Sequence, residues 1–315
     1  MDIGGSGVRV ASFSRNDRGL LVPGPGLFGG GCGIDPVSGL AEVFERWGRT
    51  HAEGLTGTLP VGVAAPGLKT ADGRGIERAR NLPRTAELLD RLTTVLGELG
   101  LSNLCPAPRL FSDGEAALLG ETVVAGGLLM GERDVLYLGP GSGLAEVILV
   151  GGELRPVTGL RAVDLPPTLE GELSNDLEHE ASLLGAYGRY AAALRSGEDR
   201  GDSIEEAAAA GVVGARASLE RMSLALASLI EYRGEELRKL RMAVADGSPA
   251  VLLRTRAGDF FSSPAVRTLV LPRLVDVAGR HGARLIVPVA PASGYAPCAG
   301  ALALALGDTQ ASAKP

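Results

Sequence analysis

Two short glycine-rich turns, each set against apolar stretches, constrain the fold of this chain more than any other feature. The first, Asp2-Ile3-Gly4-Gly5-Ser6-Gly7, leads into the apolar run Val8–Ser12. The second, Leu138-Gly139-Pro140-Gly141-Ser142-Gly143, separates the runs Asp134–Leu138 and Ala145–Val150. Glycine lets a backbone approach a ligand closely and aim successive N–H groups at phosphate oxygens. Neither turn is a P-loop, because no Gly-Lys-Ser/Thr follows, and neither fits a dinucleotide fingerprint, because strands rather than helices follow. Each taken alone reads equally well as an ordinary hairpin turn. Two such strand–turn–strand units in one chain point to a duplicated lobe.

Further short apolar runs at Pro60–Ala65, Arg109–Ser112, Ala250–Arg254 and Arg284–Val289 also read as strands, several of them apolar on both faces. Between them lie helical patterns. Leu40, Val43, Phe44 and Trp47 share one face, as do Leu88, Leu89, Leu92, Val95, Leu96 and Leu99. The segments Glu115–Val124, Leu177–Leu194 and Ser218–Arg241 each read as one helix, and Ser263-Pro264 as the cap and first residue of another. Strands alternating with helices define an α/β class. Leu21–Gly33, crowded with Gly and Pro, reads as a loop at a hairpin end, Ser196–Ile204 as a surface loop and Asp308–Pro315 as a disordered tail.

The 315 residues exceed what one hydrophobic core usually organises and suit two lobes. With 46 glycines, abundant alanine and only 4% aromatic residues, the packing has to rely on small side chains in close approach. A net charge of -6 argues against a nucleic-acid or anionic-membrane surface, which needs clustered Lys and Arg. No stretch reaches the roughly 18 apolar residues of a membrane span. Cys32, Cys105 and Cys298 lie far apart and show neither a disulfide framework nor zinc-ligand spacing, which fits a reducing cytoplasm.

Motifs in a fixed order carry a more specific resemblance. After the first turn come Gly62-Val63-Ala64-Ala65-Pro66-Gly67, Asn81-Leu82-Pro83 and Ser112-Asp113-Gly114-Glu115-Ala116-Ala117-Leu118-Leu119-Gly120-Glu121. Gly141-Ser142-Gly143, Gly171-Glu172-Leu173-Ser174-Asn175 and Leu177-Glu178-His179-Glu180-Ala181-Ser182 follow. The ordered set spans most of the chain and resembles the ROK family of sugar kinases. The resemblance implies a two-lobed actin-like ATPase (ribonuclease H-like) fold with a central cleft. It divides the chain into an N-terminal lobe, residues 1–114, and a C-terminal lobe, residues 115–307, whose last helix packs back on the first. It also implies ATP and Mg²⁺ as cofactors, a small-molecule sugar as partner and a homodimer.

By the same resemblance Asp113 is the general base that takes the proton of a sugar hydroxyl; read from the residue alone, it serves equally as a helix N-cap. Gly67, Asn81, Ser112, Glu172, Asn175 and Glu178 line the sugar site, although Glu172 and Glu178 also suit a helix start as solvated charges. Asp2, Gly4, Gly5 and Ser6 with Gly141, Ser142, Gly143 and Gly258 hold the nucleotide, and Asp2 holds Mg²⁺ directly or through water.

The chain departs from the family at several points. Ser6-Gly7 replace Thr-Lys in the first turn, and Ser112 replaces the Asn before the base. Asn175 replaces a zinc-binding histidine, the accompanying cysteine stretch is missing so that no zinc is expected, and His179 reads as an ordinary helix residue. Ala145-Glu146-Val147 replace glycines after the second turn, and of the glycine pair near the adenosine only Gly258 remains. Arg254 and Arg256 read as solvated surface arginines. These losses keep a second reading open, a catalytically degenerate relative acting as a sugar-binding sensor or structural subunit. A ROK-type repressor is disfavoured because only Met1 precedes the first turn.

Overall fold

The computed structural model describes residues 1–4, 7–31, 36–51, 56–80, 82–155, 157, 176–195, 203–241, 249–254, 260–287 and 294–307. Its contacts divide the chain into two units, Met1–Gly131 with Ser293–Pro315, and Glu132–Ala292. The division falls after Gly131 rather than after Gly114, because the helix that begins at Asp113 is packed wholly within the first unit.

The first unit opens with β1 (Asp2–Gly4), β2 (Gly7–Val10), β3 (Phe13–Arg15), β4 (Leu21–Pro23), β5 (Phe28–Gly30) and α1 (Pro36–His51). It continues with β6 (Leu59–Val61), β7 (Ala64–Ala65), β8 (Leu68–Lys69), β9 (Ile76–Arg78), α2 (Leu88–Glu98), β10 (Leu104–Pro106), β11 (Phe111–Ser112) and α3 (Asp113–Val123). The segment 21–33 thus contains two short strands and is not all loop. The run Pro60–Ala65 is two strands rather than one: β6 pairs with β10, while β7 joins the main sheet. That sheet has the order β11-β7-β1-β2-β5, with β1, β7 and β11 parallel and β1-β2-β5 an antiparallel meander. The apolar stripes predicted for α1 and α2 cover it, with Leu40, Val43, Phe44, Leu88, Leu89 and Leu92 buried against Ile3, Val8 and Val63.

The second unit carries β12 (Val135–Pro140), β13 (Leu144–Val150), β14 (Glu153–Arg155), α4 (Leu177–Ala181), α5 (Leu183–Arg195), α6 (Ile204–Ala209) and α7 (Val213–Arg241). It ends with β15 (Ala250–Leu253), α8 (Pro264–Leu269), α9 (Leu271–Arg280) and β16 (Arg284–Ile286). Its sheet, β14-β13-β12-β15-β16, repeats the topology of the first: an antiparallel meander of three, then two parallel strands on the far side of the first. The recurrence of glycine turns in the sequence therefore reflects a recurrence of sheets. The predicted helix Leu177–Leu194 is two helices. Ser182 adopts an extended backbone between them, and its hydroxyl accepts from the Gly185 amide at 3.0 Å, capping the second helix. A Cβ at Gly185 would overlap the carbonyl oxygen of His179, so only glycine permits that close break.

The last helix, α10 (Ala296–Ala305), belongs to the first unit and crosses α3 at backbone distance. A Cβ on Gly120 would overlap the Ala296 carbonyl, one on Gly300 the Ala116 carbonyl, and one on Gly62 the Ala301 carbonyl. The small residues of α10, with Ala296, Ala299 and Ala303 fully buried beside Leu119 and Val124, make this approach possible. Two glycines that the motifs single out, Gly62 and Gly120, therefore serve helix packing.

Because neither helix can back away from its backbone contact, Gly120→Ala and Gly300→Ala should each destabilise the fold by about 1–3 kcal/mol. Gly188→Ala, at an exposed helical site with nothing within 4 Å of the new methyl, should instead stabilise it by about 0.5–1 kcal/mol. Denaturant unfolding of the three variants checks the contrast.

Candidate functional site

The parallel pairing of β7 with β11, Ala64 opposite Phe111 and Ala65 opposite Ser112, ends at the start of α3. Ser112 has the extended backbone of an N-cap, and its hydroxyl accepts from the Glu115 amide at 3.5 Å. Asp113 is therefore the first helical residue, not the cap. It is half-buried, and one of its carboxylate oxygens accepts from the Gly114 amide at 3.0 Å. Its negative charge sits at a helix N-terminus and at the carboxyl end of parallel strands, where open α/β sheets present ligands.

Gly67 follows β7 with a left-handed backbone, φ 81°, and a Cβ there would overlap the Arg78 carbonyl. This bend turns the chain into the β8–β9 hairpin and brings the Lys69 side chain back over the strand end. The Lys69 ammonium donates to the carbonyls of Ala65 at 2.7 Å and Gly67 at 2.8 Å. Burial pushes Lys69 below the usual lysine range, opposed first by the charge of Asp113 and then by that of Glu115. Burial likewise pushes Glu115 up, countered by Lys69, the Ser112 backbone and Arg109. Sequence reading missed Lys69 altogether. Its position two residues after Gly67 is visible, but the bend that folds it back is not.

The first glycine turn forms as a hairpin, with Gly4 paired to Gly7, while Gly5 and Ser6 lie outside the described residues. Asp2 is completely buried. Magnesium keeps several of its waters, so a carboxylate with no exposed face does not suit a hydrated ion. Among the described residues no group of three or more His, Cys, Asp or Glu side chains could hold a metal. Asn81, Glu172, Asn175, Arg256 and Gly258 also lie outside the described residues.

In the second unit the turn Gly141–Gly143 closes on itself, the Gly141 amide donating to the Gly143 carbonyl at 2.7 Å. The Leu144 amide donates to the Glu178 carboxylate at 3.4 Å, and a Cβ on Gly143 would overlap that same oxygen. Glu178, exposed in the first turn of α4, thus lies against the turn expected to receive phosphate, and its negative charge opposes an anion there. The Asp176 side chain caps α4 by accepting from the His179 amide at 2.9 Å. Beside the turn, Glu146 accepts from the fully buried Arg233 at 2.8 Å, and Arg233 also donates to Glu236 at 2.7 Å. Burial pushes Glu146 up, Arg233 offsets this, and Glu178 adds to the rise. Arg254 is buried at the end of β15 rather than solvated at the surface, because β15 lies between β12 and β16.

No protein-family model matches the chain, and no curated protein does. Solved structures match over nearly its whole length. A ROK family glucokinase from Streptomyces griseus, in complex with glucose and AMPPNP, aligns at 21% identity and a TM-score of 0.61, covering 97% of this chain and 98% of that one. A ROK hexokinase from Thermus thermophilus aligns at 21% identity and a TM-score of 0.58, with 98% of each chain covered. A ROK family transcriptional regulator, homologous to the E. coli MLC protein, aligns at 15% identity and a TM-score of 0.60, over 96% of this chain and 79% of that one. The chain therefore has the α/β fold of the actin-like ATPases in the form that ROK sugar kinases share. No helix among the described residues is long and apolar enough to cross a membrane.

Removing the cation from the pair beside the second turn leaves a largely buried carboxylate without its guanidinium. Arg233→Met should cost about 3–5 kcal/mol at neutral pH. The raised pKa of Glu146 sets the sign: its folded form binds a proton more readily than its unfolded form, so ionising it at higher pH works against folding. The deficit of the variant relative to the parent should therefore shrink as pH falls into the carboxylate range. Parallel unfolding series at pH 5 and pH 8 measure it.

Proposed function

We propose that this chain is an ATP-dependent sugar kinase that phosphorylates a hydroxyl of a hexose or N-acetylhexosamine. The observation that carries the reading is the placement of Asp113. Ser112 caps α3, and Asp113, the first helical residue, sets a half-buried carboxylate at the carboxyl end of β11, on a fold shared with ROK glucokinase and hexokinase. In the proposed reaction the sugar hydroxyl oxygen bonds to the γ-phosphorus and its proton passes to Asp113. The bond from that phosphorus to the β–γ bridging oxygen breaks, and ADP leaves. Gly67 shapes the sugar side through its left-handed bend, and Gly141–Gly143 are the candidate phosphate turn of the second unit, opposed there by the Glu178 carboxylate. No step is routed through a metal ion. ADP release against a panel of hexoses and N-acetylhexosamines tests the proposal, and no turnover on any of them overturns it. Asp113→Asn should lower kcat by about 10²–10⁴-fold while the sugar Kd changes little; unchanged turnover would clear Asp113 of the role.

A second reading, a catalytically silent sugar-binding protein, is favoured by one observation: the Glu178 carboxylate occupies the amide that a phosphate would need. It predicts no heat of ATP binding by calorimetry at millimolar nucleotide. A micromolar Kd for ATP removes it.

A further inference from the structure

The second glycine turn is held on both sides by the helix pair that follows it in the same unit. On one side the Leu184 amide, in the first turn of α5, donates to the Gly141 carbonyl at 3.2 Å. On the other the Leu144 amide, which opens β13, donates to the Glu178 carboxylate of α4 at 3.4 Å. That carboxylate oxygen lies so close over Gly143 that any Cβ there would overlap it, so glycine is what lets Glu178 reach the turn. The helix that carries Glu178 is anchored by its neighbours. Asp176 caps its start, and Glu180, buried where Glu178 is exposed, accepts from Arg189 of α5 at 2.8 Å and from two nitrogens of Arg221 on α7 at 2.7 and 2.8 Å. The guanidiniums around α4 and the turn are thus engaged by other acids, Arg189 and Arg221 by Glu180, and Arg233 by Glu146 and Glu236. Among the described residues Glu178 has the Leu144 amide as its partner and no cation.

We infer that Glu178 is an autoinhibitory residue that sets the affinity of the second turn for phosphate: its carboxylate is an internal competitor seated on the Leu144 amide, and a phosphate group binds the turn only in its place. The contact is built for exchange. At 3.4 Å it is longer than the usual amide bond of roughly 2.9 Å, and the carboxylate is exposed, so it returns to water when it leaves. A phosphate oxygen reaching the same amide makes a shorter, charge-assisted bond. The other acid beside the turn, Glu146 on β13, is balanced by Arg233, which leaves Glu178 as the main electrostatic opponent of an anion there. Occupied by its own carboxylate, the turn rejects weak anions and admits a ligand whose phosphate charge outweighs that of one glutamate.

This inference rests on the reading of Gly141–Gly143 as a phosphate turn, and the experiment keeps the two apart. Inorganic tripolyphosphate and ATP are titrated by calorimetry into the parent chain, Glu178→Gln and Glu178→Ala, each at low and at high salt. Glu178→Gln keeps an oxygen for the Leu144 amide and so reports the charge, while Glu178→Ala removes the competitor outright. Both variants should bind tripolyphosphate about tenfold or more tighter than the parent at low salt. The gain should shrink at high salt, because an exposed charge is screened. A gain in affinity is an outcome that damage to the fold does not produce. Equal affinity in the parent and both variants overturns the inference while leaving the turn an anion site. Binding by none of the three overturns the phosphate turn and the inference together, whereas turnover on the sugar panel judges the kinase reading separately. Should neither variant fold, the Leu144 amide of the parent is followed by NMR through the carboxylate range. Its resonance should follow the protonation of Glu178 and cease to do so with tripolyphosphate bound; a resonance indifferent to both overturns the inference.

Discussion

The parallel register that sets Ala65 beside Ser112 is the constraint from which the rest of the first unit follows. It ends two strands at the same level, so the carbonyls of one and the helix N-terminus that follows the other face a common space. From the first strand end comes the Gly67 bend and the returning Lys69; from the second come the Ser112 cap and the Asp113 carboxylate. The α3–α10 crossing holds this arrangement from behind. Backbone contact at Gly120 and Gly300, with Gly62 against the same helix, leaves α3 no freedom to slide. The abundance of glycine and alanine that marks the composition is used here, in packing, as much as in the turns.

The second unit repeats the sheet but not the electrostatics. Its glycine turn is bonded internally and faces a carboxylate, and the strand leaving it carries a second one, Glu146. A buried guanidinium, Arg233, balances that charge. A largely buried pair of this kind brings little net stability but is costly to break, so Glu146 commits the chain to keeping Arg233. This part of the molecule departs furthest from a phosphate cradle, and it motivates the silent reading set beside the kinase.

Much of the architecture was legible in the sequence because it rests on local periodicity. The stripes Leu40–Trp47 and Leu88–Leu99 became α1 and α2, and the two glycine turns became hairpins heading equivalent sheets. Where the reading failed, a local signal was overruled by distant packing. Leu177–Leu194 carries an unbroken helical pattern, yet the Ser182 hydroxyl and the closeness of Gly185 to His179 split it. Arg254 looks like a surface residue in sequence and is buried because its strand end is flanked on both sides. The boundary between units moved to Gly131 because α3 belongs with a helix nearly two hundred residues further along the chain.

Sequence alone determined the α/β class and the two turns, since each is written in neighbouring residues and their spacing, and the candidacy of Asp113 came from the resemblance that the ordered motifs carry. Tertiary structure decided which glycines serve packing, where the units divide, and that the Lys69 ammonium comes to rest at the strand end beside β11. Those outcomes depend on a parallel register and a left-handed bend that bring separate segments within hydrogen-bond reach. Such proximity is a property of the folded chain and has no signature in any short stretch of it.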